Sequence, residues 1–298
     1  WLGDQAGLIG EDGRNVGGGR VPDGDYVAWL RAESPDQPEV YEEQTIRLIV
    51  DATPPALGVS RPSAGSYVPA DARVRASIAD AHLREYVLSV APGGGPAVEI
   101  ARGSQARTDE ALAALTRFSD GPHTLSLTAS DQAENESGLT LAFSIDSSPP
   151  EAAIAAPAQG TVLARGDEPI PVTGRVEDAN PGSWTLRFGA GPEAAAFGSI
   201  GSGTSSGPAL ALGSWDVRSV PDGPYVLSLV ATDQAALPAE SRVAVTLDGT
   251  PPKVALTSPA EGAYVTAPGP VRGSVSDASL ASWLVEAAPG PAASAFQW

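Results

Sequence analysis

The chain has 298 residues, 42% of them apolar, and a formal charge of −18. That acidity disfavours nucleic acid and anionic membrane surfaces as partners, and the absence of cysteine excludes a disulfide framework and any thiolate metal site. No apolar run approaches the ~20 residues that a membrane-spanning helix needs, while Gly 33 and Pro 28 read as turn punctuation between β-forming runs.

Residues 1–20 contain seven Gly and read as a loop with one short strand at most. With no initiator Met and no basic segment before an apolar core, the opening looks like that of a fragment or processed product, any export signal lying upstream. Val21-Pro22-Asp23-Gly24-Asp25-Tyr26 then forms a turn that opens into alternating apolar and polar residues. Tyr26 to Ala32 and Gln44 to Val50 read as two antiparallel strands. Asp51-Ala52-Thr53-Pro54-Pro55 ends them, because a Pro-Pro pair fixes φ twice and removes two ladder donors. The same pair stiffens the link.

These words recur. The linker returns as Asp146-Ser147-Ser148-Pro149-Pro150 and Asp248-Gly249-Thr250-Pro251-Pro252. The turn returns as Asp120-Gly121-Pro122-His123 and Val220-Pro221-Asp222-Gly223-Pro224-Tyr225, so the Asp-Gly pairs lie 97 and 102 residues apart. Fixed-period self-similarity marks a tandem array. Between linkers lie 56–150 and 151–252, each opening with an apolar strand, a Pro-x-x-Gly turn and a second strand. The opening words are Arg61-Pro62-Ser63-Ala64-Gly65, Ala156-Pro157-Ala158-Gln159-Gly160 and Ser258-Pro259-Ala260-Glu261-Gly262. A third strand ends at Asp80-Ala81, Asp178-Ala179 or Asp277-Ala278, and a fourth carries Tyr86, Trp184 or Trp283. Asp109 to Leu115 reads as a helical turn or two. About seven short strands per hundred residues, with a turn every 8–12, predicts an all-β fold of antiparallel sandwiches.

The pattern resembles bacterial immunoglobulin-like or fibronectin type III-like tandem repeats of secreted and cell-surface proteins. Val220 to Tyr225 resembles their tyrosine corner, and Ala231-Thr232-Asp233-Gln234 with Asp248 to Pro252 resembles the end of such a module and its junction. His123 departs from the pattern where Tyr26 and Tyr225 stand. The resemblance implies tandem sandwiches on a stiff string: 1–55 as a C-terminal half, 56–150 and 151–252 as whole domains, and 253–298 as an N-terminal half. Trp1 and Trp298 fall at nearly one point of the repeat, which a window of a longer array explains. It also suits strand complementation, in which 253–298 of one chain completes 1–55 of an identical chain in a head-to-tail polymer.

In such a sandwich the entering linker lies beside the B–C and F–G loops of its own domain. The resemblance thus places Asp51 near Asp80 and Asp131 (with Glu134 and Glu136), Asp146 near Asp178 and Asp233, and Asp248 near Asp277. Hard oxygen ligands from three segments suit Ca²⁺, although Asp also caps turns by bonding nearby amides. No Asp-x-Asp-x-Asp-Gly loop is present.

Other motifs point less far. Gly203-Thr204-Ser205-Ser206-Gly207 spells a nucleophile elbow outside its strand-turn-helix context. Only His82 and His123 exist to serve as base, and Glu42 and Glu43 read as solvated surface. Arg165-Gly166-Asp167 and the sequon Asn135-Glu136-Ser137 are short enough to arise by chance. Trp184 and Trp283 read as core, Trp215 less clearly so. The expectation is a non-enzymatic extracellular or cell-surface bacterial stalk, fibre or adhesin shaft. The alternatives are a carbohydrate- or protein-binding array, favoured by exposed coplanar aromatics, and the spacer of a large exported enzyme or toxin.

Overall fold

The computed structural model describes residues 21–34, 36–267 and 269–287. The expected loop at 1–20, Trp1 and Trp298 lie outside them. Among the described residues there is no helix, and so none long and apolar enough to cross a membrane. The chain divides into two compact units, residues 1–147 and 148–298.

In the first unit, β1 (Gly24–Ser34) and β2 (Gln37–Val50) form an antiparallel hairpin, with Tyr26 opposite Leu48 and Ala28 opposite Ile46. Eight strands follow: β3 (Ala56–Arg61), β4 (Tyr67–Val68), β5 (Arg73–Ala79), β6 (Leu83–Pro92), β7 (Val98–Gly103), β8 (Arg107–Ala114), β9 (Gly121–Asp131) and β10 (Glu136–Ile145). They make two sheets, β3-β5-β8 and β4-β10-β9-β6-β7. That order, with the first strand split so that β4 joins the far sheet alongside β10, is an immunoglobulin-like sandwich. The β4–β10 pair is parallel; the other pairings are antiparallel.

The second unit builds the same plan from β11 (Glu151–Ala156), β12 (Val162–Ala164), β13 (Ile170–Glu177), β14 (Pro181–Ala190), β15 (Gly198–Gly203), β16 (Gly207–Trp215), β17 (Gly223–Asp233) and β18 (Pro238–Asp248). Its sheets are β11-β13-β16 and β12-β18-β17-β14-β15, with β12 parallel to β18. Among the described residues β19 (Lys253–Ser258) and β20 (Arg272–Ser276) follow, paired antiparallel.

Alternation produces both cores. Leu125, Leu127 and Ala129 of β9 point inward with Tyr86, Leu88 and Val90 of β6, against Val74, Ala76 and Ile78 of β5. In the second unit Leu227, Leu229 and Ala231 of β17 meet Trp184 and Leu186 of β14 and Val172 and Val176 of β13. The Pro-x-x-Gly turns recur with Gly65, Gly160 and Gly262 at φ 74°, 78° and 73°. This left-handed conformation is cheap only for glycine.

Two tyrosine corners form as the resemblance implies. Tyr26 Oη donates to the Pro22 carbonyl at 2.7 Å, and Tyr225 Oη to the Pro221 carbonyl at 2.9 Å. At the third corner His123 is buried between Phe118 and Phe143, 5.6 Å from each ring, and Nδ1 lies 2.8 Å from the Gly121 carbonyl. A carbonyl can only accept, so Nδ1 carries the proton. The turn is thus held from two residues away, where tyrosine reaches four.

Two expectations fail. Residues 109–115 are not helical but belong mostly to β8, which pairs with β5 around a bulge at Leu112. Sheet pairing outweighs the helix preference of an Ala/Leu run. Asp109, at φ 44°, donates its N–H to the Ser77 hydroxyl oxygen at 2.8 Å and pairs through its carboxylate with Arg75 at 2.9 Å. The fourth strand expected around Trp283 is also missing. Residues 280–286 carry no strand, and Trp283 is 66% exposed, because the described residues 253–287 hold no counterparts of β16, β17 and β18 to cover it. Trp184 and Trp215 are buried at 5% and 1%, the latter against Phe188 and Tyr225 at 5.0 and 5.4 Å.

Leu227→Ala should therefore destabilise its sandwich by ~2–5 kcal/mol, measured by urea unfolding. Tyr225→Phe, which removes one hydrogen bond and little volume, should cost about 1 kcal/mol.

Candidate metal centre

The first linker begins where β2 stops, and Asp51 is its first residue. Asp80 follows β5 and turns the chain into β6: its Oδ1 accepts the His82 N–H at 2.7 Å, an Asx turn. Asp131 is the last residue of β9 and fully buried. Its two oxygens accept the Asn135 N–H at 2.9 Å and Nδ2 at 2.7 Å. The same Nδ2 donates to the Asp51 carbonyl at 3.0 Å, and the Gln132 N–H donates to the His82 carbonyl at 2.9 Å. Three segments distant in sequence are thereby laced together.

In this arrangement Asp51, Asp80 and Asp131 each present a carboxylate oxygen within 4.8 Å of the others. Like charges that close require compensation. Part of it comes from the chain, since His82 Nδ1 lies 2.8 Å from Asp51 Oδ2. That hydrogen bond raises the His82 pKa above its usual value, against the opposing effect of partial burial and with help from the charges of Asp51, Asp80 and Asp25. The remaining Asp51 oxygen accepts the Thr53 N–H at 3.2 Å. Chemically the cluster is a set of hard oxygens able to hold a cation, each bonded already to protein donors on one side.

The other sequence-predicted residues are placed as follows. In the second unit Asp178 Oδ1 accepts the Asn180 N–H at 2.6 Å, and Asp233 Oδ1 accepts the Leu237 N–H at 2.8 Å. Their carboxylates come within 4.8 Å of one another, and the Gln234 N–H donates to the Asn180 carbonyl at 3.0 Å, repeating the lacing of the first unit. Asp146, in the first unit, follows β10 and gives its N–H to the Val68 carbonyl at 3.0 Å. Asp248 and Asp277 line one cleft of about 480 Å³ together with Lys253. Asp248 Oδ1 accepts the Thr250 N–H at 3.1 Å and Asp277 Oδ1 the Ser279 N–H at 2.7 Å. Glu134 stays out of the group: it takes φ 67° at the loop tip and pairs with Arg84 at 3.3 Å. Glu136 is exposed at the start of β10.

His82 and Asn135 are the participants that sequence reasoning missed. The available signal was position, two residues after Asp80 and four after Asp131. Other motifs are absorbed into structure. Asn135 spends its amide on Asp51 and Asp131, so a glycan there would displace both bonds. The Ser205 carbonyl accepts Trp184 Nε1 at 3.0 Å and the Ser206 hydroxyl donates to the Val176 carbonyl at 3.0 Å, while both histidines belong to the first unit. Arg165 of the Arg-Gly-Asp triplet donates to the Val220 carbonyl at 3.1 Å and faces Asp222 at 3.4 Å.

No protein-family model matches the chain, and no curated protein matches it by sequence. Among solved structures it is similar to a tetra-tandem repeat from the extending region of a large adhesion protein, with 17% identity over 78% of this chain and 60% of that one, TM-score 0.31. The protocadherin γB4 extracellular domain gives 12% identity over 84% of this chain and 45% of that one, TM-score 0.28. A structure described as concerning host cell surface retention of a 1.5-MDa bacterial ice-binding adhesin gives 15% identity over 70% of this chain and 71% of that one, TM-score 0.29. The chain thus spans 60% and 45% of the first two. The fold assignment rests on the sheet order and cores of this chain itself.

Asn135→Ala leaves the Asp51 carbonyl and an Asp131 oxygen without their donor. It should cost about 1–3 kcal/mol in urea unfolding, and full-length chain produced in a glycosylating host should carry no glycan at that position.

Proposed function

We propose that this chain is part of the shaft of an extracellular or cell-surface protein, a non-enzymatic spacer of the kind that bacterial immunoglobulin-like repeats supply. The observation that carries this reading is the repetition of one sandwich twice, with the same sheet order, the same F-strand core and the same Asp-x-x-Pro-Pro exit. Two copies of one plan in series suit a spacer, whose task is length, better than a binding array, whose task is a distinct surface. Burial of Trp184 and Trp215 in the cores supports the same choice. The extending-region repeat of a large adhesion protein and the ice-binding adhesin, to which the chain is similar, are proteins of this general kind. The partners under this reading are neighbouring repeats, of the same or of an identical chain. The acidic surface limits lateral clumping.

The same reading includes a divalent cation, Ca²⁺ by the hardness of its oxygens, at Asp51, Asp80 and Asp131. The convergence of these carboxylates from linker, B–C and F–G loops supports it. Asp146, Asp178, Asp233, Asp248 and Asp277 occupy the equivalent positions of the repeat. A bound ion would tie the linker to both loops and stiffen the exit of β2.

Electron micrographs of the purified protein should show thin beaded particles with a repeat of ~35–45 Å per sandwich; compact single particles would contradict the shaft. Saturating Ca²⁺ at 100 times Kd should stabilise the first unit by about 2.7 kcal/mol. Asp131→Asn should abolish that gain, and a melting curve indifferent to chelator would remove calcium from the account.

A further inference from the structure

The linkers are held from a second side, by a residue whose evident role in the sequence is only to make a turn. Asp23, in the Pro-Asp-Gly turn before β1, accepts the Ala52 N–H at 3.0 Å through Oδ1 and the Thr53 hydroxyl through Oδ2. Asp222, in the matching turn before β17, accepts the Gly249 N–H at 3.0 Å and the Thr250 hydroxyl at 2.7 Å, again one oxygen each. Asp120 places both oxygens 2.7 and 2.8 Å from the Ser147 hydroxyl. An aspartate that merely forms a turn bonds amides in its own loop. These three carboxylates instead reach 27 to 30 residues along the chain.

The consequence follows from which groups are used. The two linker residues before Pro54 supply an amide and a hydroxyl to one carboxylate, so both are fixed to the turn of the hairpin the chain is leaving. The next two residues are prolines, with φ set and no amide to donate. Every backbone donor of residues 52–55 is then either spent on Asp23 or Asp51 or absent. Charge supports the hold at the second site. The hydrogen bond from Thr250, with the Gly249 N–H and the nearby Arg165, keeps the Asp222 carboxyl below the usual carboxylate range. The pairing of a turn Asp with a linker Thr 28 or 30 residues later occurs at both Thr-Pro-Pro linkers, 51–55 and 248–252.

We propose that Asp23 and Asp222 are linker clamps: each grips a Thr-Pro-Pro linker by its amide and hydroxyl and thereby sets how far that junction can bend. This rests on the shaft reading for its purpose, though not for its chemistry. Asp51, whose Oδ1 accepts the Thr53 N–H, meets the clamp at that residue, while Asp80 and Asp131 belong to the following sandwich.

The test uses the full chain, which has no cysteine. Spin labels go on Thr45→Cys and Ser104→Cys, exposed sites on either side of the first linker. Thr53→Val removes the hydroxyl at nearly constant shape, Thr53→Ser keeps it, and Asp23→Ala removes the grip entirely. Thr53→Val and Asp23→Ala should broaden the label–label distance distribution at least twofold, and should drop the Ala52 amide order parameter from the rigid value of about 0.85 to below 0.6. Thr53→Ser should behave as wild type. An unchanged distribution in Thr53→Val and Asp23→Ala overturns the proposal, whether or not the Ala52 amide loosens. Compact particles in micrographs, with the clamp behaving as expected here, would instead count against the shaft alone.

Discussion

The structure depends on the F strand of each sandwich, β9 or β17. It is central in its sheet, hydrogen-bonded to β6 and β10 in the first unit and to β14 and β18 in the second. Strand geometry gives it a strict period of two, so a single register decides everything that it carries. The inward set begins at the corner residue, His123 or Tyr225, runs through Leu-x-Leu-x-Ala, and ends on Asp131 or Asp233. A slip of one residue would expose the leucines and turn the terminal aspartate away from its loop. Core and junction are therefore specified by the same alternation.

From that strand the rest follows in both directions. At its start, the corner hydrogen bond and the Asp of the Asp-Gly turn fix how the preceding loop approaches and where the exit linker is gripped. At its end, Asp131 gathers Asn135, and through it the carbonyl of Asp51, so that the entering linker meets the sandwich at a defined place. A repeat of this design needs few special residues: one alternating strand, one turn before it and one aspartate after it. That economy suits a chain that builds length by repetition.

Much of this was legible in the sequence because the informative signals are local and periodic. Alternation over Tyr225 to Asp233 and the Pro-Pro stops identify strands and their ends without knowledge of partners. The helical reading of Asp109 to Leu115 fails because an Ala/Leu run has no period of its own, and only pairing with β5 around the Leu112 bulge decides it. Trp283 shares its motif with Trp184 yet differs in burial, because burial depends on strands that motif spelling does not supply. At the junction the aspartates were visible as types, whereas His82 and Asn135 act through side chains that reach across loops. The grip of Asp23 on Thr53 was hidden for the same reason: the turn explained Asp23 locally, so nothing in the sequence required a distant partner.

Core and junction form one cooperative element through β9. Native-state hydrogen exchange in the full chain tests it most directly, comparing the Leu127 amide in the core with the Gln132 and Asn135 amides beyond Asp131. All three are expected to open with free energies close to that of global unfolding, since the junction amides are bonded to His82 and Asp131. Protection at Leu127 with Gln132 and Asn135 exchanging at the rate of an unstructured loop would contradict it.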